Sequence, residues 1–213
     1  MERIICILIG YGFGLFQTGY LYGKLHGIDI RKCGSGNAGT TNMLRTLGKK
    51  AGIITLLGDA FKCVFAVLFV KLLFRERYED ILPLLAVYTA AGVILGHNFP
   101  FYMNFKGGKG IAATAGLILS MGWQMTLIDI VVFGLTVLLT HYVSLGSLLV
   151  YVSLIIQMVF FGQRGMFGMA QRDLNEMYVV IVCLAVLAFW MHRANINRLL
   201  HGQERKTYLS KRS

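Results

Sequence analysis

The chain has 213 residues and a net charge of +11; 56% of its residues are hydrophobic and only 15% are charged. Soluble domains carry about a quarter charged residues, so a water-soluble globule is excluded, and the apolar runs are continuous rather than alternating, which excludes a membrane β-barrel. What remains is an all-α, polytopic membrane helix bundle forming a single domain over 1–213.

The predicted spans, in chain order, are 4–22, 51–74, 81–96, 111–122, 124–141, 145–162 and 175–191. That makes about seven transmembrane helices, several of them shorter than the ~20 residues of a full crossing. The first is a retained span rather than a signal peptide: Glu2 and Arg3 cancel, glycines at 10, 12, 14 and 19 interrupt the run, and no A-x-A site follows. Within the second, Asp59 and Lys62 lie three apart on one helix and are expected to neutralise each other, because unpaired intramembrane charge is costly. Asp129, near the far end of the fifth, is assigned no function. Cys6, Cys33, Cys63 and Cys183 are isolated, without a C-x-x-C. Neither a disulfide framework nor a metal site is expected, and no cofactor is implied.

Lys and Arg set the orientation. Lys24, Arg31, Lys32, Arg45, Lys49, Lys50, Lys106, Lys109, Arg193 and Arg198 gather at one set of span ends. The positive-inside rule then puts the N-terminus outside and the C-terminus in the cytoplasm. The cations punctuate spans and do not interleave with stacking aromatics, so nucleic acid is discounted as a partner. The polar tail from Gly202 to Ser213 reads as a solvated end near anionic headgroups.

Three polar motifs fall on the cytoplasmic side. In Gly34–Arg45 (GSGNAGTTNMLR), Gly34, Gly36 and Gly39 let backbone N–H groups converge on an anion, and Ser35 and Asn37 add donors. Thr40 or Thr41 is expected to cap the following helix, with Arg45 one turn beyond Thr41. The competing reading is a flexible glycine turn with a snorkelling Arg. In Gly96–Thr114 (GHNFPFYMNFKGGKGIAAT), Lys106-Gly107-Gly108-Lys109-Gly110 sets two ammonium groups around glycines ahead of a helix, an arrangement suited to phosphate. It is not a Walker A loop. His97 is either a proton carrier or a structural hydrogen-bonder. In His192–Glu204 (HRANINRLLHGQE), His192 and Asn195 share one helix face, and Glu204 can pair with Arg198 or Arg193. Ser144 and Ser147, beside His141, either reach the shared site or satisfy backbone.

Taken together, GSGNAGTTN…R, GHNFP…FKGGKG…AT and HRANI-RLL-G-E resemble the three signature motifs of the PlsY family, the acyl-phosphate-dependent glycerol-3-phosphate acyltransferases of bacteria. The resemblance runs from the first span to Glu204; Thr40 and His141 depart from the pattern, where Ala and Arg are common. It implies a seven-span enzyme of the bacterial cell membrane, its active site facing the cytoplasm. The enzyme would transfer a fatty acyl group from acyl phosphate to the 1-hydroxyl of sn-glycerol 3-phosphate, giving lysophosphatidic acid and phosphate. The implied catalytic residues are Ser35, Arg45, His192 and Asn195. Phosphate would be held by Gly36, Asn37, Thr41, the Lys106–Gly110 loop and Ser144, while Glu204 matches a structural position. Implied partners are the two substrates, membrane lipid, and transiently the soluble enzyme that makes the acyl phosphate.

The residues' own chemistry agrees. Two phosphorylated substrates need two anion cradles, and an acyl phosphate already carries its leaving group, so no Ser-His-Asp constellation is required. The H-x-x-x-x-D signature of acyl-CoA-dependent enzymes is absent: five places after the histidines stand Arg31, Tyr102, Gly146, Asn197 and Lys206. The alternative from another class is an organophosphate transporter, but no internal repeat is found and the polar groups cluster at one face.

Overall fold

The computed structural model describes residues 1–207, and among them every regular element is helical. In chain order these are α1 (Glu2–Gly14), α2 (Thr18–Leu25), α3 (Thr40–Phe74), α4 (Leu82–Asn98), α5 (Ile111–Met121), α6 (Trp123–Thr140), α7 (Val143–Gln163), α8 (Gln171–Met191) and α9 (Arg193–Leu200). Six segments are long and apolar enough to cross a membrane, Glu2–Leu25 being one of them. The predicted span 111–122 corresponds to α5, whose 11 residues reach only about 16 Å at 1.5 Å per residue. That is half of the ~30 Å hydrocarbon core. It therefore starts inside the bundle, from the loop after α4.

Helix α4 is the centre of the bundle; most of it from Leu84 to Asn98 is buried. It packs on α1 through small residues four apart on each helix. A Cβ at Gly10 or Gly14 would lie 2.0 Å from the Thr89 carbonyl oxygen or 2.3 Å from that of Val93, and one at Gly92 or Gly96 would strike the Ile7 or Tyr11 carbonyl. Lipid tails are as apolar as Leu, so such close backbone approach is what holds membrane helices together. The outward faces of α3 and α6 carry exposed Leu, Ile, Val and Phe, including Phe65, Leu72, Ile130 and Leu139.

Two helix breaks position polar groups. Helix α3 is interrupted at Gly48, whose φ of 84° only glycine adopts readily. The turns before it carry the end of the first motif, and the apolar run predicted over 51–74 lies beyond it. Between α1 and α2 the chain is non-helical within the bundle, so its freed carbonyls need donors. Lys62 Nζ supplies them to Phe16 O (2.6 Å) and Gly14 O (3.3 Å), and Gln17 Nε2 donates to Gly14 O, Gly96 O and His97 O. Lys62 also pairs with Asp59 at 2.9 Å, as expected from their spacing. Asp59 in turn accepts from Thr18.

Candidate active site

At the end of the bundle where α4 and α8 terminate lies a cavity of about 1070 Å³. Each of the three motifs contributes to its wall: Ser35, Gly36, Asn37, Thr41 and Arg45 from the first, Lys109 and Gly110 from the second, His192 and Asn195 from the third. Ser144, Ser147 and Glu204 line it too. Away from these polar groups the cavity continues as an apolar trough between Ile53 and Leu56 of α3 and Phe133, Val137 and Leu138 of α6. A Cβ at Gly134, in the same trough, would meet nothing within 4 Å.

The first motif is shaped by a residue the sequence reading did not single out. Asn42, 3% exposed, donates from Nδ2 to the carbonyls of Ile30, Cys33 and Asn37, and its Oδ1 accepts from the Ser35 N–H at 2.9 Å. A buried primary amide with one acceptor and two donors can close a loop in this way; the signal was an Asn inside the first helical turn, where it has little reason to stand otherwise. The expected Thr cap is corrected. Gly39 occupies the cap position without a side-chain bond, and Asn37 Oδ1 accepts from the Gly39 N–H in a local turn. Thr40 and Thr41 already lie within the helix.

The second motif is built differently from the cradle expected of it. The Gly107 N–H donates to Asn98 O and the Gly108 N–H to His97 O, so neither is open to an anion. These glycines are there for closeness. A Cβ at Gly107 would lie 2.0 Å from His97 O, and one at Gly108 would lie 1.9 Å from His97 Nε2. Lys106 is exposed and absent from the cavity wall. Lys109 and Gly110 are the part that faces the cavity, followed by the first turn of α5. The side chain of Thr114 and its backbone N–H both bond Gly110 O, so the N–H groups of that first turn are left open.

The third motif carries the site's acid–base groups. His192 is 3% exposed, and its Nδ1 lies 2.8 Å from Ala188 O. A carbonyl only accepts, so Nδ1 bears the proton and Nε2 keeps a lone pair. Burial first, then the neighbouring Lys109 charge, pushes this imidazole down to about 4, and it is neutral at pH 7. Asn195 Oδ1 accepts from Lys109 Nζ. Burial depresses Lys109 to about 8; Glu204 opposes the shift, while Arg198 and Arg45 add to it.

Glu204 ties the site together. It accepts from Asn195 Nδ2 (2.7 Å), Ser144 Oγ (2.9 Å) and Arg198 Nε (2.7 Å). Burial would raise its carboxyl, but these hydrogen bonds outweigh burial and hold it below the ordinary carboxylate range. Of the two partners expected from spacing, Arg198 is the one it meets; Arg193 instead lies over the Trp190 ring. Ser144 thus reaches the site, while Ser147 bonds the Val143 carbonyl. The tail is not a solvated end up to Thr207. Thr207 is 6% exposed, its N–H donates to His141 O, and Arg45 Nη2 donates to Thr207 Oγ1 and Arg205 O. Lys211 and Arg212 lie outside the described residues.

A profile of the family described as "Glycerol-3-phosphate acyltransferase" matches residues 4–202. This chain belongs to that family. A glycerol-3-phosphate acyltransferase of Clostridioides difficile (strain 630) is 42% identical over 205 residues, covering 95% of this chain and 94% of the relative. One from Thermotoga petrophila is 41% identical over 207 residues, covering 96% of each. The crystal structure of PlsY (YgiH), an integral membrane glycerol 3-phosphate acyltransferase, in its glycerol 3-phosphate form superimposes with a TM-score of 0.80 at 30% identity, covering 98% of this chain and 96% of that one. Its lysophosphatidic acid form gives 0.78 at 29%. The family places the chain among multi-pass membrane acyltransferases of phospholipid synthesis, as the motif resemblance implied.

Proposed function

We propose that this chain transfers a fatty acyl group from acyl phosphate to the 1-hydroxyl of sn-glycerol 3-phosphate, yielding lysophosphatidic acid and phosphate at the cytoplasmic face of a bacterial inner membrane. The observation that carries the reading is the two-part cavity. Its cationic end gathers Arg45 and Lys109, and its trough between α3 and α6 is apolar and opens toward the lipid-facing side chains. A substrate with a phosphate head and an acyl chain fits both parts at once.

In this reading the glycerol hydroxyl oxygen attacks the acyl carbonyl carbon and the carbonyl–phosphate C–O bond breaks. Arg45 and Lys109 stabilise the charge on the departing phosphate. Holding both substrates in one cavity supplies a proximity advantage of ~7 kcal/mol or more. His192 Nε2 accepts a hydrogen bond from the attacking hydroxyl and orients it. With a pKa near 4 it is a weak final acceptor, and the phosphate oxygen freed by cleavage of the C–O bond takes the proton, so that the leaving group departs as hydrogen phosphate. Asn195 and Glu204 hold Lys109 and Arg198 in register. Ser35 Oγ has no hydrogen-bonded base among the described residues, which favours direct transfer over an acyl-enzyme.

The deciding experiment offers purified protein palmitoyl phosphate or palmitoyl-CoA with labelled sn-glycerol 3-phosphate. Lysophosphatidic acid from palmitoyl phosphate alone, abolished in Lys109→Ala, is the expected result. Product from palmitoyl-CoA alone overturns the donor. No product from either, with label taken up by vesicles, replaces the enzyme with a transporter.

A further inference from the structure

His97 sits where the α4 end meets the second motif. It is 2% exposed, yet it lines the cavity. Its Nδ1 lies 2.9 Å from Lys62 Nζ. The three closest acceptors of Lys62 are Phe16 O at 2.6 Å, Asp59 Oδ1 at 2.9 Å and His97 Nδ1. An ammonium has three N–H groups and no lone pair, so the hydrogen bond between Lys62 and His97 runs from Nζ to Nδ1, and Gly14 O at 3.3 Å is the more distant fourth acceptor. The imidazole proton is then on Nε2. Lys62 and Asp59 are the charged groups beside this ring; Asp59 Oδ1 is 3.7 Å from Nδ1 and is already bonded to Lys62 and Thr18.

Among the described residues the Nε2–H has no protein acceptor, and the atom is pressed against Gly108, where a Cβ would approach it to 1.9 Å. A nearly buried N–H donor beside a glycine, next to Lys109 and the open first turn of α5, is an unfilled hydrogen bond. The two cavity imidazoles are therefore in opposite tautomers: His192 offers a lone pair and His97 offers a hydrogen.

We propose that His97 Nε2–H binds a phosphoryl oxygen of the anion held beside Lys109 at the start of α5, with Lys62 as the positioning residue that fixes the tautomer. A neutral imidazole donor adds a hydrogen bond to the phosphoryl oxygen without another cation. The inference rests on the phosphate-handling part of the proposed function but not on acyl transfer.

The test measures calorimetric binding of inorganic phosphate and of sn-glycerol 3-phosphate, each to the intact protein in detergent, for wild type, His97→Leu and His97→Gln. In His97→Leu, affinity for at least one anion is expected to fall roughly tenfold or more, the scale of a hydrogen bond to a charged group. His97→Gln is expected to restore most of it, since its amide nitrogen can donate at the Nε2 position while its oxygen accepts from Lys62. Loss confined to inorganic phosphate assigns His97 to the donor's phosphate; loss confined to sn-glycerol 3-phosphate assigns it to the acceptor's. Unchanged affinities in His97→Leu, or equal losses in both variants, overturn the proposal. Should the variants not fold, ¹⁵N-imidazole spectra of the wild-type protein decide. A protonated Nε2 that shifts on adding phosphate supports the proposal, and an Nδ1–H tautomer or an unmoved signal refutes it. If palmitoyl phosphate yields no product but phosphate still moves the His97 signal, the acyl-donor reading fails and this one stands.

Discussion

The two polar ends of the bundle contain similar residues and do opposite things. At the end where α1, α4 and α8 begin, Arg3 meets Glu176 through two bonds of 2.5 and 2.9 Å. It also contacts Glu2 and lies 3.9 Å from Asp173, and the Tyr88 hydroxyl donates to Glu176 at 2.8 Å. The N-terminal ammonium also pairs with Glu2 there, at 3.2 Å, and each of these groups has a protein partner. At the other end Arg45, Lys109 and Arg198 surround one nearly buried carboxylate, Glu204, and the first-turn N–H groups of α5 and His97 Nε2 are unspent. A cluster that satisfies itself is a staple. A cluster with surplus cation and open donors is suited to an anion, and charged residues alone do not tell the two apart.

The sharpest way to break this contrast is Lys109→Met. Loss of a preorganised cation facing the departing phosphate is expected to lower kcat/KM by ~100-fold or more while leaving the thermal unfolding midpoint unchanged; a full-activity variant would remove Lys109 from the chemistry. Next comes pH. Lys109 carries its charge below about 8 and loses it above, whereas His192, at about 4, stays neutral from pH 5 upward. kcat/KM should therefore fall on the alkaline side, by up to about tenfold per unit, with no acid limb from His192 between pH 5 and 8. Lys109→Arg, with a guanidinium charged beyond pH 12, should lose the alkaline limb; a limb that persists in this variant belongs to another group.

Glu204→Gln tests the carboxylate that ties the third motif to α7. Arg198 loses its counter-ion and Asn195 its anchor, so a destabilisation of ~2 kcal/mol together with reduced activity is expected in denaturation and turnover assays. The smallest effect belongs to the staple: Arg3→Gln should cost ~1 kcal/mol or less, as partly exposed ion pairs do, and leave kcat within about twofold of wild type. A large activity loss in that variant would show that the two ends communicate.

Much of this was legible in the chain. Helices, their order and the convergence of three motifs follow from continuous apolar runs and from glycine–cation clusters at span ends. The Asp59–Lys62 pair follows from a spacing of three. What was not legible depends on contacts between distant segments. The glycines of the second motif look identical to an N–H cradle, yet two of them spend their N–H groups on α4. Asn42 was not singled out in the sequence, and only the three carbonyls converging on it reveal its role. The tail looked solvated because its composition is polar, but Glu204 and Thr207 fill a gap between α7, α9 and Arg45.

The sequence by itself determined that the chain is a membrane helix bundle with three glycine- and cation-rich motifs at its span ends, because hydropathy and glycine placement are local properties of the chain. Only the tertiary structure decided which donors remain open, which lysine of the second motif faces the cavity and which nitrogen of each buried histidine carries the proton. Those are set by the group that happens to lie opposite each ring nitrogen, the accepting Ala188 carbonyl for His192 and the donating Lys62 ammonium for His97.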